Sequence, residues 1–229
     1  RSDYPRPALP TGEGAHYRFV IPEKLERALR ELCAREEATL YHLLLTALSL
    51  LLSRYSRQDV ICIGSPAANR PHRSLADVAG VFVNTLVMRN NLAGNPSFAD
   101  LLRRVKKTAQ EAYNHQDLPF DQLVSALALG GDMRYSPLFQ VMLVVQPFAL
   151  EEALSLRGLA VEPLVVENNS SKFDLGFEFR RLGEQLQAVV EYRTDLFRSS
   201  TIERMASHLI ELLEQIVEIP QAPIDTISM

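Results

Sequence analysis

Apolar residues recur along the chain at two distinct spacings. After Pro22, positions Leu25, Ala28, Leu29, Leu32 and Cys33 fall on one side of a helical wheel, opposite Glu26, Arg27, Arg30 and Glu31; this predicts an amphipathic helix opened by the proline. Leu40 to Tyr55 is apolar almost all round, apart from a polar stripe of His42, Thr46, Ser49 and Ser53, and reads as a buried helix. His42 is either a site residue or a hydrogen-bonded edge histidine. Asn95 is expected to cap a third helix with Pro96 at its first position, with Phe98, Leu101, Leu102, Val105, Ala109 and Ala112 on its core face and Arg103, Arg104, Lys106 and Lys107 outside. Asp117 is the expected cap of a short helix opened by Pro119, and Ser200, with Glu203 three residues on, that of the last helix.

The other spacing is two. Phe173, Leu175, Phe177 and Phe179 alternate with Asp174, Gly176, Glu178 and Arg180, the pattern of a strand with one buried face. Gly183 then turns the chain into "EQLQAVVEYRT", a hairpin with a wet face. "DVICIGSPA", "VFVNTLVMR", "PLFQVMLVVQPF" and "LAVEPLVVE" read as further strands. Strands and helices mixed without repeats make an α/β fold, a mixed sheet flanked by helices. Pro5, Pro7 and Pro10 at one end and "PQAPID" at the other mark linkers.

Composition narrows the partners. A chain of 229 residues, 47% hydrophobic, can bury a substantial core. Its net charge of -4, with basic residues interleaved among acids, leaves no footprint for nucleic acid or an anionic membrane. The apolar run from Leu43 to Leu52 is too short to span a bilayer. Cys33 and Cys62 lack metal spacing and read as buried free thiols of a reducing, cytoplasmic compartment.

Candidate chemistry is sparse. His115 sits at a helix end with neither a locked rotamer nor a pocket supplied locally. Asn84 lies on a strand face with Phe82 and Leu86, Thr85 on the opposite face, and both polar groups need partners. Arg70, at a strand end beside a Pro-flanked turn, is an exposed arginine or a bidentate partner for a distant carboxylate. No phosphate loop, zinc spacing or nucleophile elbow is present.

Three segments carry a resemblance. "VAGVFVNTLVMR", "NHQDLPFDQL" and "MRYSPLFQVMLVVQ", in that order, with "SSKFDL" and "EYRTDLF" after them, resemble motifs of the condensation domains of nonribosomal peptide synthetases, over about Tyr4 to Glu218. The family's HHxxxDG motif has no counterpart among His16, His42, His72, His115 and His208, no two of which are adjacent. The resemblance therefore implies the C-terminal lobe alone, one chloramphenicol-acetyltransferase-like lobe over residues 16–219, with 1–15 as inter-lobe linker and 220–229 as the start of a linker to an adenylation domain. It implies no catalytic residue and no bound cofactor or metal in this chain. Phosphopantetheine arms of upstream and downstream carrier proteins would be substrates in a tunnel against the N-terminal lobe, the basic helix face being one possible docking patch. Arg70 would make an inter-lobe ion pair with the motif's aspartate, while Phe82, Asn84, Thr85, Gln116, Asp117 and Ser136 would support the tunnel or its floor. The alternatives are a stand-alone binding lobe of the same fold and a related acyltransferase fragment.

Overall fold

The computed structural model describes residues 2–70, 72–75, 77–128, 132, 134–146, 168–183 and 185–229. Among them lie six strands, β1 (Gly14–Val20), β2 (Val60–Ala67), β3 (Asn84–Asn91), β4 (Val141–Val145), β5 (Leu175–Leu182) and β6 (Gln185–Arg193). Five α-helices accompany them: α1 (Glu23–Arg35), α2 (Leu40–Ser56), α3 (Phe98–Asn114), α4 (Phe120–Ala126) and α5 (Ser199–Glu218). The expected strand "LAVEPLVVE" lies outside the described residues.

The strands form one mixed sheet in the order β1-β6-β5-β4-β2-β3. β2, β4 and β5 run parallel, and β3, β6 and β1 pair antiparallel at the flanks. The two spacings in the sequence explain the core. Ile61, Ile63, Leu86, Met88, Leu143, Phe177 and Phe179 alternate onto one sheet face and meet the helical stripes of Leu29 and Leu32, Leu44 and Leu48, Leu101 and Val105, and Leu209 and Leu212. On the opposite face the ring of Phe139 lies flat against Gly64, where an added Cβ would come within 2.3 Å of it. Phe120 and Phe173 pack their rings on Phe139 at 5.7 and 5.3 Å between centroids.

Several local expectations are corrected. Helix α3 is capped by Ser97, whose hydroxyl accepts from Asp100 N at 3.1 Å. Asn95 instead adopts a left-handed backbone, φ 47°, and its side chain receives Asp225 N at 3.1 Å. Asp117 caps nothing: α4 has Pro119 at its N-cap and no local side-chain cap. Ser200 lies inside α5, which starts after Arg198 without a side-chain cap; Asp3 instead ties the N-terminal segment to this helix end, accepting from Arg198 N on Oδ2 at 2.9 Å and from the Thr201 hydroxyl on Oδ1 at 3.1 Å. "VFVNTLVMR" becomes a strand only at Asn84. The outer face of the β5–β6 hairpin is only partly wet, since Val189 is buried between half-buried Gln187 and Glu191. Cys33 is buried, but Cys62 is only half-buried.

The two proline-rich ends are bound to the body. Besides the Asp3 contacts, Arg6 bonds both oxygens of Asp174, donates to Arg134 O at 3.0 Å and stacks on Tyr135 at 4.3 Å. Gly14, placed in the linker by the sequence pattern, opens β1. At the other end Ile224 and Ile227 are buried in the core, and Arg54 donates to Ile224 O.

Candidate functional site

The carboxyl end of β2 and the turn after α3 bring most of the candidate residues together. Arg70, just beyond β2, is half-buried and acts as the hub of the loop that follows. One guanidinium nitrogen donates to the carbonyls of Leu75 and Val78, the second to Gly80 O at 3.1 Å, and the group lies 4.2 Å over the ring of Phe82. Its partners are carbonyl dipoles rather than a carboxylate. Gly80, at φ 151°, provides a conformation that side chains resist. This wrapped loop delays the start of the regular strand to Asn84 and removes Phe82 from the face that the sequence pattern shared with Asn84.

Loop closure leaves Val81 94% and Val83 61% exposed, with Val78 at 42% and Leu118 at 47%. The three valines of the loop are thus uncovered, whereas Leu75 and Phe82, which Arg70 itself holds, are half-buried.

Asn84 begins β3 opposite Ala67. Its Nδ2 donates to Gln116 O at 2.8 Å and Leu118 O at 2.7 Å, while Oδ1 accepts from Thr85 N at 2.9 Å and Phe120 N at 3.1 Å. One side chain thus holds both carbonyls of the turn between α3 and α4 and caps α4 in place of a local residue. Thr85, opposite Pro66, contributes its amide to this arrangement. Gln116 participates through its backbone, while Asp117 and His115 are exposed. Ser136 lies apart from Arg70; its carbonyl accepts Gln140 Nε2 at 3.0 Å next to the Phe139 ring, which in turn touches Phe120. The arrangement is a scaffold of satisfied amides, without a nucleophile–base pair.

The polar stripe of α2 is structural. Thr39 caps the helix reciprocally with His42, whose Nδ1 accepts Thr39 N at 3.2 Å. Thr46 and Ser49 donate back to His42 O and Leu45 O, each at 2.7 Å, and buried Asn90 donates to Ser49 Oγ. Burial and nearby Lys106 lower the His42 pKa below its ordinary value. The basic face of α3 is likewise engaged, with Arg103 on Asp100, Arg104 on Ala93 O, Lys106 on Glu37 O and Lys107 on Glu111.

The condensation-domain profile matches residues 2–229. The chain belongs to the condensation-domain family. It is 43% identical over 228 residues to bacitracin synthase 3 of Bacillus licheniformis and 37% identical over 228 residues to tyrocidine synthase 3 of Brevibacillus parabrevis. The whole chain is covered in both cases, but it spans only 4% of the length of each relative. Among solved structures, a four-domain nonribosomal peptide synthetase bound to AMP and glycine superposes with TM-score 0.91 at 25% identity, covering 97% of this chain and 18% of that one. The X-domain from teicoplanin biosynthesis gives 0.87 at 28% identity, with all of this chain on 52% of it. The mixed sheet with its flanking helices is thus a condensation-domain fold of the chloramphenicol-acetyltransferase-like type. No helix among the described residues is long and apolar enough to cross a membrane.

What sequence reasoning missed is the Arg70 cage and the remote cap on α4. The cap on α4 has no local signal because Asn84 and Phe120 lie 36 positions apart; the Arg70 partners lie only 5 to 10 positions on, but they are backbone carbonyls, which a side-chain pattern does not show.

Proposed function

We propose that this chain is the C-terminal lobe of a condensation domain in a cytoplasmic nonribosomal peptide synthetase. Its partner lobe carries the HHxxxDG motif, and the two together join carrier-bound aminoacyl or peptidyl thioesters through an amide bond. Phosphopantetheine arms of the upstream and downstream carrier proteins enter a tunnel between the lobes, and an adenylation domain is a neighbour in the assembly. This lobe supplies a wall and floor rather than chemistry: Asn84 fixes the turn carrying Gln116 and Asp117, and Phe120 and Phe139 extend the same shelf toward Ser136. Thr85 and Phe82 flank it.

The observation that carries this reading is the Arg70 loop. It offers a fixed guanidinium, bound by neutral carbonyls and able to take a carboxylate by a charge-assisted bond. Around it stand Val78, Val81 and Val83, exposed in a way a protein surface rarely sustains without a covering partner.

The test is a carrier-to-carrier peptide transfer assay with the chain alone and with the HHxxxDG lobe added in trans. No turnover alone and recovery on addition are expected, and Arg70→Ala should weaken recovery at least ten-fold. Transfer by the isolated chain above the uncatalysed background would overturn the reading.

A further inference from the structure

A cavity of about 530 Å³ lies at the carboxyl ends of the three parallel strands, touching Ser65 and Pro66 of β2, Val144 and Val145 of β4, and Arg181 of β5. In open sheets the connecting chains diverge at that end and leave a crevice where ligands bind. Here Tyr41 and His42 of α2 and Tyr113 of α3 close the inner side.

The charged side chains lining the cavity, Arg30 and Arg181, are both donors, while Thr39, Ser65, Tyr41, Tyr113 and Gln146 can donate or accept. Arg30 and Arg181 converge on a single oxygen of Glu26, at 2.9 and 2.5 Å. Two positive charges thus share one buried carboxylate, leaving an excess of one. Both guanidiniums retain exposure, 52% for Arg30 and 29% for Arg181, so each has donors turned outward. His42 accepts Thr39 N on Nδ1, which places the proton of the neutral ring on Nε2, a further donor. Tyr41 Oη is buried beside the hydroxyls of Ser65 and Tyr113, in reach of both but without a well-formed hydrogen bond to either, and burial raises its pKa so that it stays protonated. Leu40, Pro66, Val144, Val145 and Leu186 supply apolar walls.

We propose that this cavity binds a monoanionic carboxylate with an apolar tail, its head at Arg30 and Arg181 and its tail along Val144 and Val145 toward the tyrosines. One excess positive charge matches one carboxylate, whereas a phosphate dianion would bring a charge without a partner into a half-buried site. An ammonium at the head position would meet two guanidiniums of like charge. The assignment stands apart from the condensation reading and does not depend on it.

The test uses the full chain, with octanoate, methyl octanoate, octylamine and octyl phosphate as probes in calorimetric titration and side-chain NMR. Octanoate is expected to bind saturably, with shifts centred on Tyr41, Tyr113 and Val145, and the ester and amine at least ten-fold more weakly. Arg181→Leu should raise the octanoate Kd by about ten-fold or more, the loss of one charge-assisted hydrogen bond. Because that change unbalances buried Glu26, Arg30→Gln at the more exposed partner gives an independent reading and should weaken octanoate in the same sense. Absence of octanoate binding, equal affinity for acid and ester, preference for octyl phosphate, shifts mapping elsewhere, or wild-type affinity in folded Arg30→Gln protein would each overturn the proposal.

Discussion

Asn84 uses its full amide capacity, two donated and two accepted bonds, on groups that have no other cap. Replacing it with alanine leaves the carbonyls of Gln116 and Leu118 and the amide of Phe120 to half-dried surroundings. We expect a loss of ~1–3 kcal/mol in urea unfolding. Asn84→Asp should be no better, because it keeps the acceptor for Phe120 but sets a negative oxygen against two carbonyls. Wild-type stability in either variant would show that water replaces the amide at no cost. Gly64 is the second sensitive residue, for a steric reason. A methyl there collides with the Phe139 ring, so Gly64→Ala should destabilise by ~1–3 kcal/mol through displacement of the aromatic cluster. Gly64→Ala combined with Phe139→Leu should recover part of that loss in the same measurement.

At the scale of elements, the helices are legible from their apolar spacing, but their starts are less so: α3 is capped by Ser97 rather than by Asn95 two residues earlier, and α5 starts with no side-chain cap. Nothing near Pro119 announces Asn84, which meets the first amide of α4 from 36 positions away. Caps depend on geometry brought about by the tertiary fold, whereas the stripe of Leu101, Leu102 and Val105 depends only on helical pitch. The strand starting at Asn84 was placed early for a related reason, since Arg70 draws the preceding residues into its own cage. The same remoteness governs a chain of charges that starts and ends on the N-terminal segment. Arg6 holds Asp174, Asp174 faces Arg193 at 3.5 Å, Arg193 holds Asp195 at 2.6 Å, and Asp195 accepts from Thr11 at 3.0 Å, returning to the N-terminal segment. Burial by itself would raise the Asp195 carboxyl, but the hydrogen bonds from Arg193 and Thr11 outweigh it and hold its pKa below the ordinary value. A carboxyl depressed in the folded state stabilises above its unfolded pKa and loses that contribution as pH falls. Asp195→Asn should therefore cost stability at pH 7 and much less near pH 3, measured by urea unfolding at each pH. An equal cost at both would mean that the carboxylate's charge plays no part.

For the whole molecule, the class of fold was readable because period-two and period-3.6 stretches interleave, and the motif segments pointed to the family. The site was less readable, since its character depends on which backbone carbonyls face Arg70 and on an exposed valine loop. That loop also predicts solution behaviour. With Val81 and Val83 uncovered, the chain should self-associate at high concentration in sedimentation experiments. Replacing both with lysine should shift it toward monomer while changing unfolding stability by only about 0.5 kcal/mol per site, as for other exposed positions. The same pair of changes should weaken recovery by the HHxxxDG lobe in trans. Unchanged association would place the sticky surface elsewhere.

The strap formed by the first residues also has a consequence in time. The side chains of Asp3 and Arg6 find partners 195, 198 and 168 positions later in the chain, and β1 pairs with β6. At ribosomal speeds of ~5–20 residues per second, Asp3 and Arg6 emerge roughly 8–40 s before these partners exist. During synthesis the segment is thus a free tether, and it is fastened only when the last helix arrives.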